Sequence, residues 1–147
     1  MKPSEIRLEL LQQHDQIRVI MEVTKTIAES ISAGRPRRGD LSGCVLRLAD
    51  AVRAHNCREE ALLQDFIPSV DAWGGAREAI MRKEHIQEHA RLDVALRGIP
   101  LASPDLAAVG VVALMRLMRE HMDREEAAFL GEDVLRDDVV VANQTDG

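Results

Sequence analysis

Aromatic residues make up only 2% of this 147-residue chain, with no Tyr, two Phe and one Trp. Base stacking, sugar stacking and phenol radical chemistry draw on such rings, so their scarcity removes most functions of those kinds. Cysteine is sparse too, and Cys44 and Cys57 make no disulfide framework. If one helix carries both, they stand about 20 Å apart along its axis, beyond disulfide reach, and are expected as reduced thiols. A basic excess is also missing. With 19 Lys+Arg against 25 Asp+Glu the formal charge is -6, which argues against a nucleic-acid partner. No run of about 18 apolar residues offers a membrane span, and the opening MKPSEIRLELLQQHD lacks the apolar stretch of a signal peptide. The expectation is a cytoplasmic protein without a membrane partner.

What is present is an aliphatic core of Leu, Val, Ile, Ala and Met within a 46% hydrophobic composition. A chain of this length can bury roughly 68–70% of its unfolded surface, so it needs no metal merely to stay folded. Apolar positions at helical spacing begin at Ser4, run through Leu10, Ile17, Met21 and Ala28, and stop at Gly34. A second helix, capped by Asp40 or Ser42, continues through Leu48, Val52, Leu62 and Phe66 until Pro68 bars it. Ser69 to Gly75 reads as a connector anchored by Trp73, and a third helix spans Ala76 to Arg97. Ser103 and Pro104 open a fourth, which lasts to Leu130 and Gly131. Four such helices with short connections predict an all-α, up-down-up-down four-helix bundle over residues 1–131, with a tail over 132–147.

The chain also repeats itself. HNCREEA from His55 and HMDREEA from His121 match at five of seven positions, 66 residues apart, and QQHDQI around His14 is echoed by QEHARL around His89. The first two helices thus read as a distant copy of the last two, related by an approximate two-fold axis through the bundle.

All five histidines fall in predicted helices: His14, His55, the pair His85 and His89, and His121. Residues four apart lie about 40° apart on one helical face, which suits two ligands of one metal or metal pair. His55 with Glu59 and His121 with Glu125 share that spacing. At about 100° per residue, Leu41, Leu48, Val52, Glu59, Leu62 and Phe66 gather on the face of His55. Gly110, Leu114, Leu117, Met118, Glu125 and Ala128 gather around His121, while Met81, Leu92 and Leu96 flank His85 and His89. Glu60, Glu126 and Cys57 are expected to face solvent or a helix flank. One buried histidine is more often an ordinary core residue than a ligand. Five of them with two glutamates on one aliphatic core are too costly to bury without a metal pair to ligate.

In these motifs the chain resembles the hemerythrin-like, or HHE cation-binding, domains: a first-helix His, then HxxxE followed by EEALLQDFIP, then HxxxH, then HxxxE. The resemblance covers Ser4 to Leu130 and implies two iron ions (Fe2+/Fe3+) with a bridging oxide or hydroxide. It assigns His85, His89 and His121 to one iron and His14 and His55 to the other, with Glu59 and Glu125 bridging. The two-His iron then keeps an open position. Hemerythrins proper place the last carboxylate five residues after the final His, which here is Glu126; the repeat with Glu59 favours Glu125. Nitrogen and oxygen donors without thiolate suit iron and also accept manganese or zinc.

The implied function is binding of O2 or a related small oxidant, as carrier or sensor rather than enzyme. Two alternatives use the same metals: a redox enzyme handling peroxide or nitric oxide, with a water or a carboxylate such as Glu22 as candidate proton donor, and an iron-handling, ferroxidase-like protein. The RPRR run from Arg35 reads as a solvated turn, and Met21, Met81, Met115 and Met118 as core filling rather than copper ligands.

Overall fold

The structure, a computed structural model, describes residues 1–35, 40–66, 81–99, 102–128 and 130–138. Four helices organise it: α1 (Pro3–Ser32), α2 (Leu41–Phe66), α3 (Ile86–Gly98) and α4 (Pro104–Ala128). A π-helical turn, Met81–His85, leads directly into α3. There is no strand among the described residues, and no described helix is long and apolar enough to cross a membrane. The predicted connector with Trp73, the start of the third helix at Ala76 and the side chains of Phe66 and Met81 lie outside the described residues.

Local chemistry sets the helix ends. Pro3 at the first turn of α1 needs no amide partner, and the Glu5 side chain accepts from the Lys2 backbone N–H. Gly34, with φ of 65°, ends the helix in a conformation that costs any residue with a Cβ.

Cross-helix pairs give the directions. Glu9 and Gln13 of α1 meet Arg58 and His55 of α2, Arg53 and Glu60 of α2 meet Asp93 and His89 of α3, and Arg18 and Glu22 of α1 meet Asp123 and Arg119 of α4. Numbers rise on one helix as they fall on its neighbour in each pair, so neighbours are antiparallel, as short connections require.

The core is divided along the bundle axis. A large apolar cluster includes Ile17, Met21, Val45, Leu48, Val52, Leu92, Leu96, Val111, Leu114 and Met118. A smaller one joins Ile6, Leu10, Leu130 and Leu135 at the opposite end. Between them every helix changes from apolar to ionisable: His14 follows Leu10 and precedes Ile17, and His121 and Glu125 lie between Met118 and Leu130.

Two expectations are corrected. Leu117, counted on the buried face of α4, is 49% exposed, because it lies at the edge of that face where the bundle leaves it uncovered. The start of the expected tail also belongs to the packed structure. Leu135 is buried against Ile6 and Leu10, and Ser4 donates both its N–H and its hydroxyl to the Asp137 carboxylate. Apolar burial and these bonds hold the segment through Asp138 against the start of α1.

Candidate metal centre

Helical periodicity places the ionisable layer, and the bundle closes it. His14, His55, Glu59, His85, His89, His121 and Glu125 are all buried, Glu59 to 0% exposure and Glu125 to 1%. Their donor atoms form two groups, each within 4.8 Å of one another: His85, His89, His121 and Glu125 in one, and His14, His55 and Glu125 in the other. Glu125 is common to both. Its Oε1 lies 2.6 Å from His121 Nε2 and 3.4 Å from His89 Nε2, and its Oε2 lies 3.1 Å from His14 Nε2. Glu59 also touches both sides, with Oε2 at 2.9 Å from His85 Nε2, 3.4 Å from His89 Nε2 and 3.9 Å from His55 Nε2.

Several of these contacts are close without being aligned as hydrogen bonds. Glu59 Oε1, His121 Nε2 and Glu125 Oε2 are buried and make no hydrogen bond among the described residues. Unpaired buried polar atoms cost about 1–3 kcal/mol each, more where charged. Three of them from two helices in one buried layer suit a cation as their partner.

Outside this layer runs a second ring. Gln13 of α1 accepts from His55 Nδ1 of α2 at 2.9 Å, and Glu60 of α2 accepts from His89 Nδ1 of α3 at 2.7 Å. Glu88 of α3 meets His121 Nδ1 of α4 at 3.1 Å, and Glu126 of α4 accepts from His14 Nδ1 of α1 at 2.8 Å. Each helix therefore supports the histidine of the next, and the circuit closes. An ionised carboxylate or an amide oxygen can only accept, so Nδ1 carries a proton and Nε2 is the nitrogen that faces inward. Such bonds fix the tautomer and ring orientation that a metal ligand needs. Arg18 extends one link by bonding Glu126 at 2.7 Å, and Arg124 extends another by bonding Glu88.

Charge follows the same geometry. Burial disfavours ionisation of Glu59 and Glu125, but the imidazoles of His85 and His89 beside the first, and of His121, His14 and His89 beside the second, hold both below the usual carboxylate range. Burial likewise opposes protonation of His89, yet Glu125, Glu59 and Glu60 raise it to about 10. His14 is raised against its burial by Glu125 and Glu126. His55, where burial prevails, is lowered to about 4.

All seven predicted residues thus meet in one layer, and Cys57 faces solvent as expected. Glu60 and Glu126 lie on helix flanks, where each takes an outer imidazole nitrogen. Gln13 and Glu88 were not anticipated, although each immediately precedes a histidine in the repeat, where a bond to the adjacent helix is within reach. Glu22 is corrected: its side chain is 56% exposed and bonded to Arg119 on the surface, because it points from α1 toward the outer edge of α4.

The sequence profile of the hemerythrin HHE cation binding domain matches residues 6–132. This chain belongs to that family. The HHE domain binds metal cations, and the matched span contains every residue of the ionisable layer. Among curated proteins and among solved structures, none matches the chain. The donor set fits the family's cation: imidazole and carboxylate only, with Cys57 on the surface and Cys44 buried elsewhere beside Arg47.

Proposed function

We propose that this HHE domain holds two iron ions and binds O2 or a related small oxidant reversibly, as a carrier or sensor. The observation that supports it is the sharing of Glu125 by both donor groups, since one carboxylate within reach of two sets of imidazoles suits a metal pair rather than two separate ions. Glu59, touching His55 on one side and His85 and His89 on the other, is the second candidate bridge. When bound, the iron pair supplies reversible two-electron redox chemistry.

The chain's own residues make the two halves unequal. His85, His89 and His121 serve one half; His14 and His55 serve the other. One turn before His89, α3 is preceded by His85; one turn before His14, α1 carries Leu10, fully buried and unable to ligate. The half served by His14 and His55 is therefore short of one donor, and a small ligand has its place there. Glu22, one candidate proton donor for turnover, is exposed and engaged by Arg119 on the surface, which favours binding over turnover.

Metal analysis with anaerobic-to-aerobic spectral cycling tests the reading. Close to two irons per chain and a reversible oxidant-dependent spectrum are expected. A colourless, metal-free and fully folded protein overturns it. A spectrum that changes once while the oxidant is consumed assigns the site to a redox enzyme instead.

A further inference from the structure

The outer ring of acceptors follows the internal repeat, with one exception. Glu60 and Glu126 occupy matching positions after Glu59 and Glu125, and each accepts from a histidine of the adjacent helix. Gln13 and Glu88 occupy matching positions before His14 and His89. Here the copies differ: His121 is backed by the carboxylate of Glu88, whereas His55 is backed by the neutral amide of Gln13.

The missing charge has been moved by one turn. In the fourth-helix copy, Arg124 reaches the carboxylate that backs His121. Its counterpart Arg58 passes Gln13 and forks onto Glu9, at 2.6 and 3.0 Å. The Gln13 amide spans the gap, accepting from His55 at Oε1 and donating from Nε2 to Glu9 Oε1 across a long 3.4 Å. Thus the chain His121–Glu88–Arg124 has become His55–Gln13–Glu9–Arg58, with the anion one residue further from the imidazole.

We infer that Gln13 is a positioning residue that weakens His55 as a donor and makes the His14 and His55 half of the centre the last to take up metal and the first to release it. The inference rests on the two-metal reading above. A carboxylate behind an imidazole raises its basicity and strengthens its bond to a cation; a neutral amide fixes the ring with less of that push. In the other half His89 and His121 are backed by carboxylates, Glu60 and Glu88. Only His55 in the ring is not.

The test is an anaerobic titration of the metal-free full chain with cobalt(II) against a chelator of known affinity, read by metal-ligand absorption. The native protein should bind two equivalents in two steps. The exchange Q13E/E9Q, which returns the carboxylate to His55 without adding charge, should tighten the second step about 10-fold and leave the first within about 2-fold. E88Q should weaken the first step instead, and Q13A, which removes the acceptor without introducing charge, should weaken the second. Binding of two equivalents with a second step unchanged in Q13E/E9Q, or with both steps moved alike, overturns the role of Gln13 while leaving the metal pair intact. Uptake of one equivalent or none overturns the two-metal reading and this inference with it.

Discussion

Glu125 and Glu126, adjacent on α4, hold opposite ends of one ring on α1: Glu125 Oε2 lies 3.1 Å from His14 Nε2, and Glu126 Oε1 accepts from His14 Nδ1 at 2.8 Å. Consecutive helical residues point about 100° apart, so only one of them can face the bundle axis while the other reaches the flank. The inward one is Glu125, at 1% exposure. The last helix therefore uses the carboxylate four residues after His121 inside the layer, and the one five residues after it outside.

Removal of the two carboxylates should have different consequences. Glu125→Ala is expected to abolish binding at both halves. Glu126→Ala should keep two metals at saturation with affinity lowered about 10- to 100-fold, because His14 loses its outer acceptor but not its lone pair. Metal content by elemental analysis and a chelator competition separate the cases. Loss of metal from Glu126→Ala with retention by Glu125→Ala would show the opposite register.

Two further candidate positions in the layer are tested in the same way. His89→Ala removes a donor from the three-imidazole half, and Glu59→Ala removes the contact that spans His55 and His85. Each variant should purify with less than the native metal content, while far-ultraviolet circular dichroism stays helical because both apolar clusters are untouched. Full metal content in both variants would exclude these residues from the centre.

The metal-free protein should show a stability that depends on pH in a definite sense. His89 is raised from 6.5 to about 10 when folded, so its contribution is complete below pH 6.5 and is lost as pH rises toward 10. Glu59 and Glu125 are held below 4.5, so theirs is complete above that value and lost as pH falls below it. His55, lowered to about 4, takes its proton only in the unfolded chain between pH 6.5 and 4, so stability also falls as pH falls through that window and the acid side is steepened. Urea unfolding of the metal-free chain should give a lower free energy at pH 9 than at pH 6.5. With metal bound, the ligating imidazoles must be unprotonated, so the alkaline loss should disappear. An alkaline loss equal in the two forms would mean that His89 is not the group responsible.

Leu135 tests the end of the bundle. It is buried against Ile6, Leu10 and Leu130, in the small cluster next to the ionisable layer. Leu135→Ala should cost about 2–4 kcal/mol by chemical denaturation, the usual range for a truncated buried leucine. A change below about 0.5 kcal/mol would mean that the segment after Gly131 contributes nothing to the fold.

How much of this was legible in the sequence depends on the distance over which each interaction acts. The i, i+4 pairs and apolar stripes are properties of one helix, so they can be counted along the chain: His55 with Glu59, His85 with His89, and His121 with Glu125 are buried where periodicity placed them. Leu117 failed the same count because a stripe's edge is covered or exposed by the neighbouring helix, which periodicity does not describe. Glu22 failed for a related reason, since its direction was clear only once Arg119 of α4 was opposite it.

The sequence by itself determined the helices, their polar interruptions and the residues able to ligate a cation, because helical geometry is local and burying seven ionisable groups without a cation is prohibitive. Only the tertiary structure decided which imidazole nitrogen faces inward and what supports it. Each outer bond, from Gln13 to His55 around to Glu126 to His14, crosses between helices, and its length is set by how the helices pack. The same packing folded the segment after Gly131 onto α1, since Leu135 has apolar neighbours only where Ile6 and Leu10 are brought to meet it.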